Sequence, residues 1–404
     1  MISTLVLLIT KSFRQHLFST VVTAASIALA GGLLMSVWTL REEARKTFAE
    51  VSGGYDAVLG ARGSKLQLVL NAVFHLEEST GNMEWKDFLE AQKNPSVERA
   101  VPMAMGDNFR GYRVVGTLPE FFAGDAASTT RLTARSPGRI FDVTSREAVV
   151  GSFAAEQLGL KRGDRIKPYH GLNFNEEHQH EEDYVIVGIL EPTSSPVDRV
   201  IWIPLEGLQK LSGHDPKSST EISAVLVKLK GGSATAGFLL DQSYNKQGTR
   251  LTFAWPIGRI VALFFDKISW FDRVLELVAY LVALVATASV VASIYNSMNE
   301  RRREIAILRA LGAHRALVSA AVVFESAAIT ALGMLGALAV HGAIMWSVTG
   351  VLKVQTGVVL NPWSPNGILV FAPLGMIALS AAAGLVPALK AYRTDVATNL
   401  IPAS

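Results

Sequence analysis

Residues 17–40 read LFSTVVTAASIALAGGLLMSVWTL and contain no Asp, Glu, Lys or Arg. A helix rises about 1.5 Å per residue, so about 20 apolar residues cross a bilayer core. This run is long enough. Lipid offers no partner to a free backbone amide or carbonyl, so a spanning segment here must be helical. It is too long for the apolar core of a cleaved leader, and no small-residue cleavage site closes it, so it reads as a retained span. Ahead of it, Met1 to Thr10 is apolar but too short to cross, and Lys11 and Arg14 follow. Residues 1–16 are therefore expected to form a helix lying in the inner interface.

Three more runs of this kind lie near the other end of the chain. Leu277 to Met298 is free of charge, Ala316 to Val348 is interrupted only by Glu325 and His341, and Ile368 to Leu389 is the last. The whole composition agrees: of 404 residues half are hydrophobic and only 18% charged, too little charge for a wholly water-exposed chain. The net charge of +3 gives no footprint for nucleic acid, because the basic residues gather beside the apolar runs. With no cysteine, disulfides, thiolate catalysis and cysteine metal sites are excluded.

Lys and Arg set the direction of the spans. Arg301, Arg302, Arg303, Arg309 and Arg315 lie between the second and third spans, Lys11 and Arg14 precede the first, and Lys390 and Arg393 follow the fourth. Those ends are expected in the cytoplasm, with both termini inside. The long segment between the first two spans then lies outside, and Trp255, Trp270 and Phe271 suit the outer headgroup region. The expected fold is four transmembrane α-helices with an α+β extracytoplasmic domain inserted between spans one and two. Its segments are the interfacial helix 1–16, span 17–40, domain 41–272, span 273–298, cytoplasmic element 299–315, span 316–348, external loop 349–366, span 367–390 and tail 391–404.

Within the domain, β-rich runs recur at Arg113 to Leu118, Tyr184 to Leu190, Val200 to Pro204 and Ala224 to Leu229. Helical periodicity marks Trp85 to Lys93 and Arg146 to Leu158, the latter ending at a left-handed cap on Gly159. Mixed periods predict an α+β domain in two lobes. The run Gly60-Ala61-Arg62-Gly63-Ser64-Lys65 looks superficially like a phosphate loop but lacks its spacing.

The element after span two carries the most specific signal: Asn299-Glu300-Arg301-Arg302-Arg303-Glu304-Ile305-Ala306-Ile307-Leu308-Arg309-Ala310-Leu311-Gly312-Ala313. Five arginines would satisfy topology alone, but an interleaved apolar series ending in Leu311-Gly312 is more than topology requires. This run resembles the signature of FtsX-like, MacB-like permeases of ABC transporters. The segments Gly151 to Ile166 and Tyr184 to Leu190, the tail Pro387 to Asp395, and the order of one span, ectodomain and three spans are similar to that family too. The resemblance implies that Glu300, Arg301, Arg302, Arg303, Glu304, Ile305, Leu308, Arg309, Leu311 and Gly312 form a coupling helix seated on a cytoplasmic ATPase. It implies that ATP is bound by that separate subunit, that this chain is not itself an enzyme, and that two permease copies pair as a homodimer in the inner membrane. A periplasmic binding or accessory protein is a further expected partner, along with membrane lipid; nucleic acid is not. Ala24, Ala28 and Gly32, spaced by four on span one, would let helices approach closely.

One local feature stands apart: His170-Gly171-Leu172-Asn173-Phe174-Asn175-Glu176-Glu177-His178-Gln179-His180-Glu181-Glu182-Asp183. If extended, the segment puts His178 and His180 on one face. With His170 and a carboxylate such as Glu177 or Glu181 they could hold a borderline metal such as zinc. The same run also reads as a solvated acidic loop. Gly54 to Gln67, His75, Gly81-Asn82, Gly106-Asp107 and His170-Gly171-Leu172 are similar to one subgroup of these permeases, which the resemblance links to zinc-responsive transport.

The sequence supports three readings of function. The first is a transporter subunit working by mechanotransmission, for efflux, for extraction of a lipoprotein or other substrate, or for metal-linked transport. The second is an FtsX-type transducer that activates a periplasmic partner such as a cell-wall hydrolase. The third is a metalloenzyme built on His170, His178 and His180, weakened by the absence of an H-E-x-x-H run.

Overall fold

The computed structural model describes residues 10–11, 13–15, 17–50, 54–123, 132–172, 174–213, 219–300, 307 and 314–392. The chain divides into two compact units. One comprises Met1–Ala44, Ile268–Val348 and Leu360–Ser404; the other comprises Arg45–Lys267 and Thr349–Val359.

The first unit is built from long helices, and among the described residues three are long and apolar enough to cross a membrane: Leu17–Phe48, Ala316–Thr356 and Ile368–Leu385. The second expected span falls in a helix running Ile257–Glu300, where the side chains of several residues from 290 onward lie outside the description. Ile27, Ala30, Met35, Ala279, Ile329, Met334, Ala337 and Met376 pack together inside the unit. Phe18, Trp346 and Phe371 stay more than 70% exposed, as expected of side chains that face hydrocarbon.

Small residues decide how close the helices come. A Cβ built on Gly32 would sit 2.6 Å from Val340 Cβ, and one on Gly31 would sit 2.7 Å from Met334 Sδ. From the other side, a Cβ on Gly333 would meet Ile27 Cβ at 2.7 Å and the Ala24 carbonyl at 3.0 Å, and one on Gly336 would meet Ala28 Cβ at 3.0 Å. The Ala24, Ala28, Gly32 stripe is thus spent inside one chain, against the helix Arg315–Thr356. Thr330 donates a hydrogen bond to Ser380 Oγ at 2.6 Å, joining the last two helices. His341 is fully buried. Its Nε2–H donates to the Pro362 carbonyl at 3.0 Å, Ser36 Oγ lies 3.1 Å from its Nδ1, and Trp363 packs edge-on against the ring. The histidine that the sequence left without a role pins the segment before the last helix. Arg41, just past the first apolar run, pairs with Asp272 and Glu276.

The second unit is organised on a sheet. Its strands are β1 (Ala57–Ala61), β2 (Met83–Glu84), β3 (Val97–Phe109), β4 (Tyr112–Thr117), β5 (Glu147–Val150), β6 (Arg165–Ile166), β7 (Tyr169–His170), β8 (Tyr184–Ile189), β9 (Ile201–Pro204), β10 (Glu221–Ile222), β11 (Ala224–Leu229) and β12 (Leu251–Ala254). Ten of them form one sheet in the order β12-β1-β11-β3-β4-β9-β5-β8-β6, with β7 also paired to β3, while β2 and β10 form a separate ribbon. Most pairings are antiparallel; β4–β9 and β5–β8 are parallel. The two lobes expected from the sequence are therefore joined by a shared sheet. One face is covered by a core that includes Phe88, Ile166, Tyr184, Ile186, Ile203 and Phe253; the other by one that includes Leu68, Phe74, Phe121, Met103 and Trp202.

The four expected strands and the helix Trp85–Lys93 are present, with ends shifted by a residue at most. Arg146 to Leu158 needs correction. Residues Glu147–Val150 are strand β5, and only Ser152–Leu158 is helical, ending on Gly159 at φ +66°. Ala148, Val149 and Val150 are each fully buried between neighbouring strands, and that burial on both faces overrides a helical period. The loop resembling a phosphate cradle has another use: Ser64 caps the helix Lys65–Ala72, and Lys65 pairs with Asp241.

Residues 349–359 fold with the sheet, although they come from far along the chain. Arg199 donates to the Gln355 carbonyl, and Lys353 sits 5.5 Å over the ring of Phe153. Gly357, at φ +77°, lies where a Cβ would meet the Ser195 carbonyl at 2.7 Å.

Candidate metal centre and coupling element

The strand β3 contains a bulge between Met105 and Asp107, where its register against β4 slips. A bulge re-aims the side chains that follow it. Here Asp107, fully buried, becomes the cross-strand partner of His170 in β7. Gly171 follows at φ +85°, and its carbonyl accepts from Asn108 Nδ2 at 2.8 Å, which turns the chain away from the strand.

The excursion after that turn returns to the same point. His180 N–H donates to the Pro168 carbonyl at 3.0 Å, and the His180 side chain is buried. Its Nδ1–H donates to the Ser212 carbonyl at 2.6 Å, so Nε2 faces Asp107 Oδ1, 3.3 Å away. His170 Nδ1 lies 3.4 Å from the same oxygen, with its ring more than half exposed. The two rings stand nearly perpendicular, 5.7 Å apart. One ligand atom from each of the three residues falls within 4.8 Å of the other two. Ser212 is held in turn by Glu182, which accepts from its hydroxyl at 2.8 Å. Burial opposes charge on His180, but the neighbouring Asp107 carboxylate and the Ser212 carbonyl outweigh it and raise the pKa. Burial also opposes the Glu182 charge, yet the Ser212 hydrogen bonds leave its pKa lowered.

Of the candidate ligands read from the sequence, His170 and His180 come together. His178 does not: Glu176–His178 is a 3-10 turn rather than an extended run, and His178 is exposed beside Asn175. Glu181 is exposed and outside the cluster, and the Glu177 side chain lies outside the description. The ligand that a reading of the loop misses is Asp107, 63 residues before His170. Only the pairing of β3 with β7 brings it in.

Arg301, Arg302, Arg303, Glu304, Ile305, Leu308, Arg309, Leu311 and Gly312 lie outside the described residues. Glu300 ends the helix Ile257–Glu300, and Ile307 is helical and exposed.

The chain thus combines a unit of long apolar helices with a sheet-rich unit. The family model described as FtsX-like permease C-terminal matches residues 276–396, which hold the arginine-rich element and the last helices. The likeness to FtsX-like permeases is thus shown for that C-terminal part of the chain. Among solved structures, similarity is found to the extracellular domain of the noncanonic ABC-type transporter YknZ from Gram-positive bacteria, at 15% identity and TM-score 0.30 over 49% of this chain and 98% of that one. The periplasmic region of MacB from Actinobacillus actinomycetemcomitans is similar at 11% identity and TM-score 0.34, over 56% of this chain and 98% of that one.

Proposed function

We propose that this chain is the membrane subunit of an ABC transporter, in which a separate cytoplasmic ATPase drives motion of the sheet domain on the opposite side of the membrane. The observation that carries this reading is the FtsX-like match over residues 276–396, because that segment contains the whole arginine-rich element as well as the helices on either side of it. Residues 299–313 supply what a force-transmitting contact needs: a charged rim to orient the partner and apolar anchors to fill a groove. The four spans, with both termini and the arginine element in the cytoplasm, follow from the distribution of Lys and Arg. The small-residue stripe of the first span is engaged within the chain, so a homodimer would have to use another face. Few ionisable side chains lie in the spans, which favours transmitted motion over a hydrophilic path for solute.

Co-purification with the cognate ATPase from detergent extracts tests the proposal. Arg302→Glu and Leu308→Asp should each abolish recovery of the ATPase while the permease elutes as before. Undiminished recovery from both variants refutes the coupling role. Topology is checked separately, since the chain has no cysteine of its own. A membrane-impermeant maleimide should label Lys161→Cys in intact cells, or in spheroplasts where an outer membrane must first be removed. It should label Arg302→Cys only once the membrane is opened. The reverse pattern overturns the orientation.

A further inference from the structure

We propose that Asp107, His170 and His180 form a binding site for a borderline divalent cation, with zinc the best fit, on the sheet domain. Two imidazoles converge on a single oxygen of a fully buried carboxylate. His180 already spends its Nδ1–H on the Ser212 carbonyl, so its Nε2 can face that carboxylate only with a second ring proton or with a cation between them.

The distances favour the cation. A charge-assisted N–H···O bond closes to about 2.7–2.9 Å. Both imidazole nitrogens instead stand 3.3 and 3.4 Å from Asp107 Oδ1. Ligands at about 2.0–2.1 Å from a tetrahedral zinc are separated by about 3.3–3.4 Å, the spacing that the corners of a tetrahedron impose. Two of the three ligand-to-ligand edges match that spacing, and the third, between the two imidazole nitrogens, lies within 4.8 Å.

The surroundings fix the ligands as metal sites require. A metal-binding imidazole ordinarily donates its second N–H to a carbonyl or carboxylate, which sets the tautomer. His180 does this through Nδ1 to the Ser212 carbonyl at 2.6 Å, leaving Nε2 as the ligand atom. Asp107 is held by the bulged strand and His170 by its pairing to that strand. Two nitrogens and one oxygen select zinc and its neighbours over calcium or magnesium, which prefer all-oxygen shells. Asp107 and His180 are buried while the His170 side chain is 56% exposed, so the fourth position opens toward water. A three-ligand site with an open position lets the ion exchange, unlike a closed four-ligand structural site.

The test uses the full-length chain, purified in detergent and stripped with chelator. Zinc is titrated calorimetrically, and cobalt is titrated by its visible absorption. Wild type should bind one equivalent, with the strong visible bands of four-coordinate cobalt, and zinc should raise its thermal midpoint. His170→Ala removes a half-exposed ligand with little risk to folding and should weaken affinity at least tenfold. Asp107→Asn keeps the shape of the buried side chain and should do the same, whereas His178→Ala should bind as wild type does. Absence of saturable binding to wild type overturns the site. So does equal affinity in wild type and His170→Ala, or an equal loss in His178→Ala. The outcome is independent of the ATPase experiments, since neither Arg302 nor Leu308 belongs to this cluster.

Discussion

His75 is held on left-handed backbone at φ +55° and packs edge-on against Trp202, 5.5 Å between centroids. Burial drives its pKa from the ordinary imidazole value down to about 3, and the nearby positive charge of Arg113 acts in the same direction. The neutral ring is thus built into the core, and protonation favours the unfolded chain. The unfolded histidine binds its proton near pH 6.5, while the folded one stays neutral until far lower pH. The stability that His75 contributes is full above about pH 6.5 and is lost progressively as the pH falls toward the folded value. Asparagine tolerates left-handed backbone and does not titrate in this range. In His75→Asn, the fall in thermal midpoint between pH 7.5 and pH 5 should therefore be smaller than in wild type, whatever the variant's absolute stability. An equal fall in both proteins assigns the acid sensitivity to other groups.

Among the elements, the contact of the first span with the helix Arg315–Thr356 is specified by small residues on both sides. Gly31 and Gly32 on one side face Met334, Ala337 and Val340, and Gly333 and Gly336 on the other face Ile27 and Ala28. Lipid is as apolar as a leucine side chain, so helices in a membrane gain by close packing of backbone on backbone. Gly32→Leu forces the pair apart and should cost roughly 1–3 kcal/mol, the usual scale of overpacking. A lowered thermal midpoint in detergent, with the sheet domain's circular dichroism retained, is the expected signature. Leu29→Ala, a position on the same helix that is 62% exposed, serves as the control and should change little. The stripe of Ala24, Ala28 and Gly32 was visible in the sequence as a spacing, but spacing alone does not say whether the partner is the same chain or a second copy. The partner became visible only with Gly333 and Gly336 in place.

For the molecule as a whole, the segment 349–359 matters because it ties a late part of the sequence into a domain encoded much earlier. Its hold on the sheet domain rests on Arg199 to the Gln355 carbonyl and on the tight turn at Gly357. Gly357→Val adds a β-branched side chain at φ +77° and drives it into the Ser195 carbonyl. Limited proteolysis should then cut within 349–359 faster than in wild type, while the sheet domain itself stays resistant. Unchanged cleavage would mean that the turn contributes little to holding the segment.

The sequence by itself determined the features that local chemistry sets: charge-free runs long enough to cross lipid, basic residues gathered at their ends, and the strands and helices whose period matched their burial. It also contained the arginine-rich element and its apolar series, since that signal is contiguous. Tertiary structure alone decided the rest. Residues 147–150 became a strand because neighbouring strands bury them from both sides, and His341 acquired a purpose only when Ser36 and Pro362 came within reach. Asp107 joined His170 and His180, in place of His178, because antiparallel pairing and a bulge bring together atoms that the chain keeps 63 residues apart. Such convergence is set by long-range packing, and no window along the sequence contains it.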